Sequence, residues 1–271
     1  MSSDPRAVLT RPAPAPDAQV RYGEHPDQVA DVRRPAPGAG GARRPLVVVV
    51  HGGFWRAEYD RAHTGPLAAA LAAEGYPVAQ LEYRRTGQPG GGWPGTFADV
   101  AAGVAALPAL VAEAVGRPDL ATDRPILLGH SAGGHLALWC AAELPSRLRG
   151  VLALAPVADL DEAYRLDLDQ GAVAALLGGG PEDVPDRYAR ADPARRLPVP
   201  VRAIVVHGAL DLQVPVEMSR RYVSLARAAG SDISLLELPY TEHFGLIDPE
   251  SPAWPKVTAA LHSLRETQPP D

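Results

Sequence analysis

Five apolar residues in a row, Leu46 to Val50, begin a regular pattern. An unbroken run of Val and Leu suits a strand buried on both faces, where neither face can carry a polar position. Further strand-like stretches, mostly apolar, recur at Val78 to Tyr83, Ile126 to Leu128, Val151 to Leu154, Val201 to Val206 and Ile233 to Leu238. Among them lie stretches of helical composition at Thr64 to Glu74, Phe97 to Ala114, Ser131 to Glu143, Pro215 to Ala229 and Pro252 to Arg265. Gly75 closes the first of these where a helix C-terminal glycine belongs. Alternating strand and helix predicts parallel strands, right-handed crossovers and helices on both faces of one sheet.

Outside that pattern the chain reads differently. Residues 1–18 are rich in Pro and Ala, carry no apolar period and predict a disordered tail. Two short strand-like pieces follow, Val20 to Tyr22 and Val29 to Val32, then a Gly/Pro/Arg turn region from Pro35 to Arg44. Residues 19–271 are expected to form one α/β domain. Residues 159–197 interrupt its alternation, with many Asp, Arg and Gly and one helical patch at Ala172 to Leu177. That segment predicts a short cap insertion able to cover a site.

Composition narrows the function. Basic residues number 26 and acidic ones 32, a formal net charge of −6, and Lys256 is the sole lysine. With no basic run, nucleic acid is not expected as a partner. Cys140 is the single cysteine, so an internal disulfide is excluded and a cysteine zinc site is not expected. The first residues lack the apolar core of a signal peptide. The longest apolar run, Val100 to Ala112, is broken by Gly103 and Pro108 and falls short of the ~18 residues of a membrane span. The expectation is a cytoplasmic protein without a membrane partner. Exposed sheet edges leave a homodimer open.

Chemistry should gather beyond the carboxyl ends of the strands. Gly129-His130-Ser131-Ala132-Gly133 follows the Ile126 to Leu128 strand and opens a helix. That is the setting of a nucleophile elbow: small residues flank a serine on a tight turn above a helix N-terminus. A glycine-rich turn with an incidental serine is the plainer alternative. His51-Gly52-Gly53-Phe54-Trp55 follows the Leu46 to Val50 strand and suits an oxyanion loop. Its candidate donors are the N–H groups of Gly53 and Phe54, with Ala132 N–H after the serine.

A serine needs a base, and the base an orienting acid. Asp211 follows the Val201 to Val206 strand, and His243 follows the Ile233 to Leu238 strand. Asp159 and Asp161 are rival acids. His51, His130, His207 and His262 read as structural. Phe54, Trp55 and Trp93 are candidate pocket walls for an aryl or acyl group. Arg84 and Arg85 suit salt bridges better than substrate binding. Cys140 reads as a buried small side chain.

Together these motifs resemble the α/β-hydrolase superfamily from Gln19 onward. Phe54-Trp55, Glu82-Tyr83-Arg84-Arg85 and Gly92-Trp93-Pro94 are similar to kynurenine formamidases and related small-ester hydrolases. The resemblance implies an α/β-hydrolase fold and a serine hydrolase with Ser131 as nucleophile, His243 as base and Asp211 as acid. Its substrate would be a small-molecule ester or aryl formamide, with no metal or organic cofactor. A general carboxylesterase, a thioesterase of secondary metabolism and a non-catalytic ligand-binding protein are the alternatives.

Overall fold

A computed structural model describes residues 4–36, 44–121 and 124–266, so much of the turn region at 35–44 lies outside it. Eight strands form one sheet: β1 (Ala18–Arg21), β2 (Val29–Arg33), β3 (Val47–Val50), β4 (Val78–Leu81), β5 (Ile126–His130), β6 (Gly150–Leu154), β7 (Ala203–Gly208) and β8 (Ile233–Leu238). Their spatial order is β1-β2-β4-β3-β5-β6-β7-β8. β3 through β8 run parallel, and β1 and β2 add an antiparallel edge.

Period-two alternation divides each central strand between two cores. Val48 and Val50 pack on one face, under α2 (Gly95–Val115), α3 (Ala132–Glu143) and α7 (Val216–Ala228). Val47 and Val49 pack on the other, under α1 (Gly65–Ala73) and α8 (Trp254–Ser263). Helices therefore cover both faces, as the alternation requires.

α2 is 21 residues long, and by length and apolar composition it meets the requirement for crossing a membrane. The interrupted run at Val100 to Ala112 did not anticipate that. Val100, Val104, Leu107 and Val111 form a buried stripe on α2, at the three- and four-residue spacing of a helix face lying on a core.

Two other expectations need correction. The tail expected to be disordered is ordered over residues 4–18. Pro5–Leu9 forms a short 3-10 helix capped by the Asp4 side chain, and Val8 is fully buried. Arg11 pairs with Asp248 through both guanidinium nitrogens. Val8, the Arg11 ion pair and hydrogen bonds such as Arg33 Nη1 to Pro14 O dock a segment that has no period of its own. The cap holds three helices rather than one patch: α4 (Leu160–Arg165), α5 (Ala172–Leu177) and α6 (Pro185–Ala191). All three have six or seven residues; α5 is wholly apolar and stood out in sequence, whereas α4 and α6 are rich in charged residues and did not.

Candidate active site

Ser131 stands between β5 and α3 with φ 55° and ψ −119°, a strained conformation for a residue with a side chain. Its N–H donates to Leu154 O at 2.8 Å, and its carbonyl accepts from His135 N at 3.1 Å. Those bonds hold the turn. A Cβ at Gly129 would stand 2.2 Å from Gly133 O, and one at Gly133 would stand 2.0 Å from Val50 O. Strand, turn and helix thus meet backbone to backbone, and only glycine fits at either position.

Asp211 follows β7 and His243 follows β8. Asp211 Oδ2 lies 2.6 Å from His243 Nδ1. A carboxylate only accepts, so Nδ1 carries the proton and Nε2 is left with a free lone pair, as a base would need. Asp211 Oδ1 accepts from Gln213 N at 2.8 Å and Val214 N at 2.9 Å. Burial pushes the Asp211 carboxyl up. Hydrogen bonds from His207 and His243, the charge of His243 and Val214 N–H outweigh burial and hold it below the usual carboxylate range.

The loop carrying His243 is pinned from two sides. Glu242 accepts the N–H groups of Phe244 and Gly245, and His130 Nε2 donates to His243 O at 3.1 Å. The His130 ring stands 4.4 Å from that of His243. Burial and then the charge of His243 hold His130 well below its ordinary range, so it stays neutral. Ser131 and His243 open onto one cavity of about 100 Å³, with Gly53, Phe54 and Phe244 in its wall.

Gly53, Phe54 and Trp55 have φ of 105°, 45° and 58°, three left-handed residues in succession. The loop they form passes close to the elbow: a Cβ at Gly52 would stand 3.1 Å from Ser131 Cβ. Ala132 N–H is the first of α3 and has no acceptor within its own helix. The three candidate oxyanion donors therefore belong to segments that pack directly against the serine.

A buried network fixes this loop. His51 Nε2 lies 2.9 Å from Glu82 Oε1, and Tyr83 OH donates to His51 O at 2.9 Å. Tyr83 also stacks on the His51 ring at 4.4 Å. Glu82 accepts from the backbone N–H groups of Tyr83 and Arg61. Burial pushes its carboxyl up, but the charge and hydrogen bond of His51 and the charge of Arg85 bring it down to about 2.

Two expected pocket residues are placed elsewhere. Trp55 is fully buried in the core, and its indole N–H donates to His135 Nδ1 at 3.2 Å. The left-handed turn at 53–55 directs Phe54 to the cavity and Trp55 into the core. Trp93 packs edge-on against Phe97 at 4.9 Å, and its backbone N–H donates to Leu176 O at 2.7 Å. It therefore joins the cap to α2 and does not line the cavity.

Among the rival acids, Asp159 caps α4 through Glu162 N at 2.9 Å, and Asp161 pairs with Arg195 at 2.7 Å. With Asp192 they bring three carboxylates within 4.8 Å of one another at the base of the cap, away from the cavity. Arg84 pairs with Asp99 and Arg85 donates to Tyr59 O, both at 2.6 Å. Cys140 is buried, and burial pushes its thiol up to about 12.

Some supporting residues were not foreseen in these roles. His207 Nε2 lies 3.2 Å from Asp211 Oδ2 and 3.0 Å from Val214 O, while Nδ1 lies 2.7 Å from Ser219 Oγ. Its place four residues before Asp211 was the available signal. Arg6, Leu9 and Asp169 also line the cavity, and they come from the N-terminal segment and the cap, distant in sequence from the motifs.

The chain matches the BD-FAE family over residues 31–225. It is 29% identical to esterase LipC of Mycobacterium tuberculosis over 85% of this chain and 60% of that protein. It is 28% identical to esterase LipQ of the same organism over 80% of this chain and 54% of that protein. The chain thus spans little more than half the length of these relatives. Among solved structures, a truncated carbohydrate esterase from gut microbiota superposes with a TM-score of 0.74 at 18% identity, covering 94% of this chain and all of that one. Esterase B from Lactobacillus rhamnosis, inhibited by a tributyrin phosphonate, gives a TM-score of 0.74 at 21% identity, covering 96% of this chain and 89% of that one. These two likenesses show a fold shared with those esterases, and with the family match they give the α/β-hydrolase fold.

Proposed function

The chain belongs to the BD-FAE family of α/β-hydrolase esterases, and from that premise we propose that it is a serine carboxylesterase for small esters. Ser131 Oγ attacks the acyl carbon while His243 Nε2 takes its proton. Asp211 holds the imidazole in the required tautomer and stabilises the imidazolium. The N–H groups of Gly53, Phe54 and Ala132 receive the oxyanion, each worth roughly 2.7–4 kcal/mol in the transition state. His243 returns the proton to the leaving alcohol. A water molecule, deprotonated by His243, then attacks the acyl-enzyme, releases the acid and restores the serine.

One observation carries this reading. The Asp211–His243 hydrogen bond of 2.6 Å is aimed at the cavity onto which the strained Ser131 opens. The named relatives support ester chemistry. The phosphonate on Lactobacillus esterase B supports a serine nucleophile with short acyl chains. The small cavity supports a short acyl group as well. Of the three aromatic residues expected to wall an aryl or acyl pocket, Phe54 lines the cavity, whereas Trp55 is core and Trp93 joins cap to helix, which weakens the support for an aryl formamide.

Hydrolysis of p-nitrophenyl acetate beside N-formyl-L-kynurenine tests both levels. Ester turnover that disappears in Ser131→Ala, with little deformylation, is the expected result. Wild-type rates in purified Ser131→Ala would overturn the scheme, and efficient deformylation would restore the formamide assignment.

A further inference from the structure

Two charged side chains reach the cavity of Ser131 and His243 from outside the sheet: Arg6 on the N-terminal segment and Asp169 on the cap. They are not equivalent. Asp169 is committed to Arg56, whose guanidinium pairs with its carboxylate and also reaches its carbonyl. Arg6 pairs with no carboxylate among the described residues. The nearest acid in sequence, Asp4, is occupied in accepting the Arg6 backbone N–H at 2.9 Å. The Arg6 guanidinium stands 5.5 Å from the ring centroid of Phe244, the residue after the base.

The segment that presents Arg6 is anchored at two points just after it. Val8 is buried in the core beneath α1 and α8, and Arg11 is tied to Asp248. Between these anchors Leu9 joins Phe54 and Phe244 as apolar wall. The cavity wall therefore combines apolar side chains with one cation that pairs with no carboxylate among the described residues, on a chain whose net charge of −6 would otherwise repel anions.

We propose that Arg6 binds a carboxylate on the substrate, so that the preferred class is an anionic short ester such as the monoester of a small dicarboxylic acid. This rests on the esterase reading of the same site. A guanidinium offers a carboxylate two parallel N–H donors, and partial exposure at the mouth limits the gain. The contact reads charge beyond the reacting carbon, leaving the chemistry at Ser131 unchanged.

Monoethyl succinate and ethyl butyrate share a four-carbon acyl chain and differ in the terminal carboxylate. Acid release at constant pH gives kcat/KM for each. The wild type is expected to favour the succinate monoester, and added salt should erode that preference. Arg6→Gln should reduce the preference, read as the ratio of the two kcat/KM values, about tenfold, and Arg6→Glu should reduce it further. The same preference in all three proteins overturns the role of Arg6 while leaving the esterase reading intact. No turnover of either ester by the wild type overturns the esterase reading itself, and the proposal with it.

Discussion

The floor of the site and its rim are built by different means. The floor consists of Ser131, the 51–55 loop, Asp211 and His243, set at the carboxyl ends of strands and locked by backbone contact and buried hydrogen bonds. The rim consists of the N-terminal segment, held by Val8 and the Arg11–Asp248 pair, and the cap, whose Val173, Leu176 and Tyr188 join the main core while Asp169 pairs with Arg56 at the cavity. A floor made of tight turns tolerates few substitutions, because Gly129 and Gly133 meet the backbone of other segments. The charged side chains that the rim presents to the cavity, Arg6 and Asp169, can change without disturbing the sheet. Chemistry and selectivity are thereby separated, which is how one fold can serve many substrates.

That separation is open to attack from both sides. The largest effect is expected in the floor, at Asp211→Asn. The variant keeps the shape but favours the wrong tautomer of His243, and kcat on any ester should fall by about 10⁴. A loss confined to one substrate would contradict the division. Glu82→Gln is expected to be smaller. It removes the charge that orients His51 beneath the oxyanion loop, so kcat should drop on the order of tenfold to a hundredfold with little change in KM. Glu82 acts through the loop as a positioning residue. An unchanged kcat at unchanged Tm would show that Tyr83 and the backbone hold the loop without it.

In the cap, Asp192 should affect stability and not rate. Burial, then the negative charge of Asp159 working against Ala194 N–H, raises its carboxyl to about 7. Its ordinary value is near 3.9, so between about pH 4 and pH 7 the folded state holds a proton that the unfolded state has released. Stability contributed by that proton is complete at the acid end of this window and is lost as pH rises through it. Asp192→Asn should abolish the slope and raise unfolding free energy at pH 8 by on the order of 2–4 kcal/mol, with kcat unchanged. Urea unfolding at pH 5 and pH 8 reads both. A variant that retains the wild-type slope would remove Asp192 as its source.

The contrast also explains what could be read from sequence. The Leu46 to Val50 run announced the central strand, because double-sided burial leaves it no polar position, and the later strands, although they admit Gln80, Glu82, Ser234 or Glu237, kept enough apolar residues to be read with it. Gly129, Gly133 and Ser131 were legible because the elbow fixes both residue type and spacing. Asp211 and His243 followed from their places after β7 and β8. Trp55 misled because adjacent residues in a left-handed turn point apart, and the turn is not visible in composition. The N-terminal segment misled because Val8 and Arg11 are single anchors with no period, and their partners are distant in sequence. His207 was legible as structural, but its contact with Asp211 depends on the turn after β7.

The central claim is that Ser131 is a nucleophile made reactive by His243 and Asp211. A fluorophosphonate probe followed by intact-mass and peptide mapping tests it without assuming a substrate. The account predicts one equivalent of label, on Ser131, with the labelling rate collapsing in His243→Ala and in Asp211→Asn. Labelling at another residue, or an equal rate in the His243→Ala protein, would contradict it.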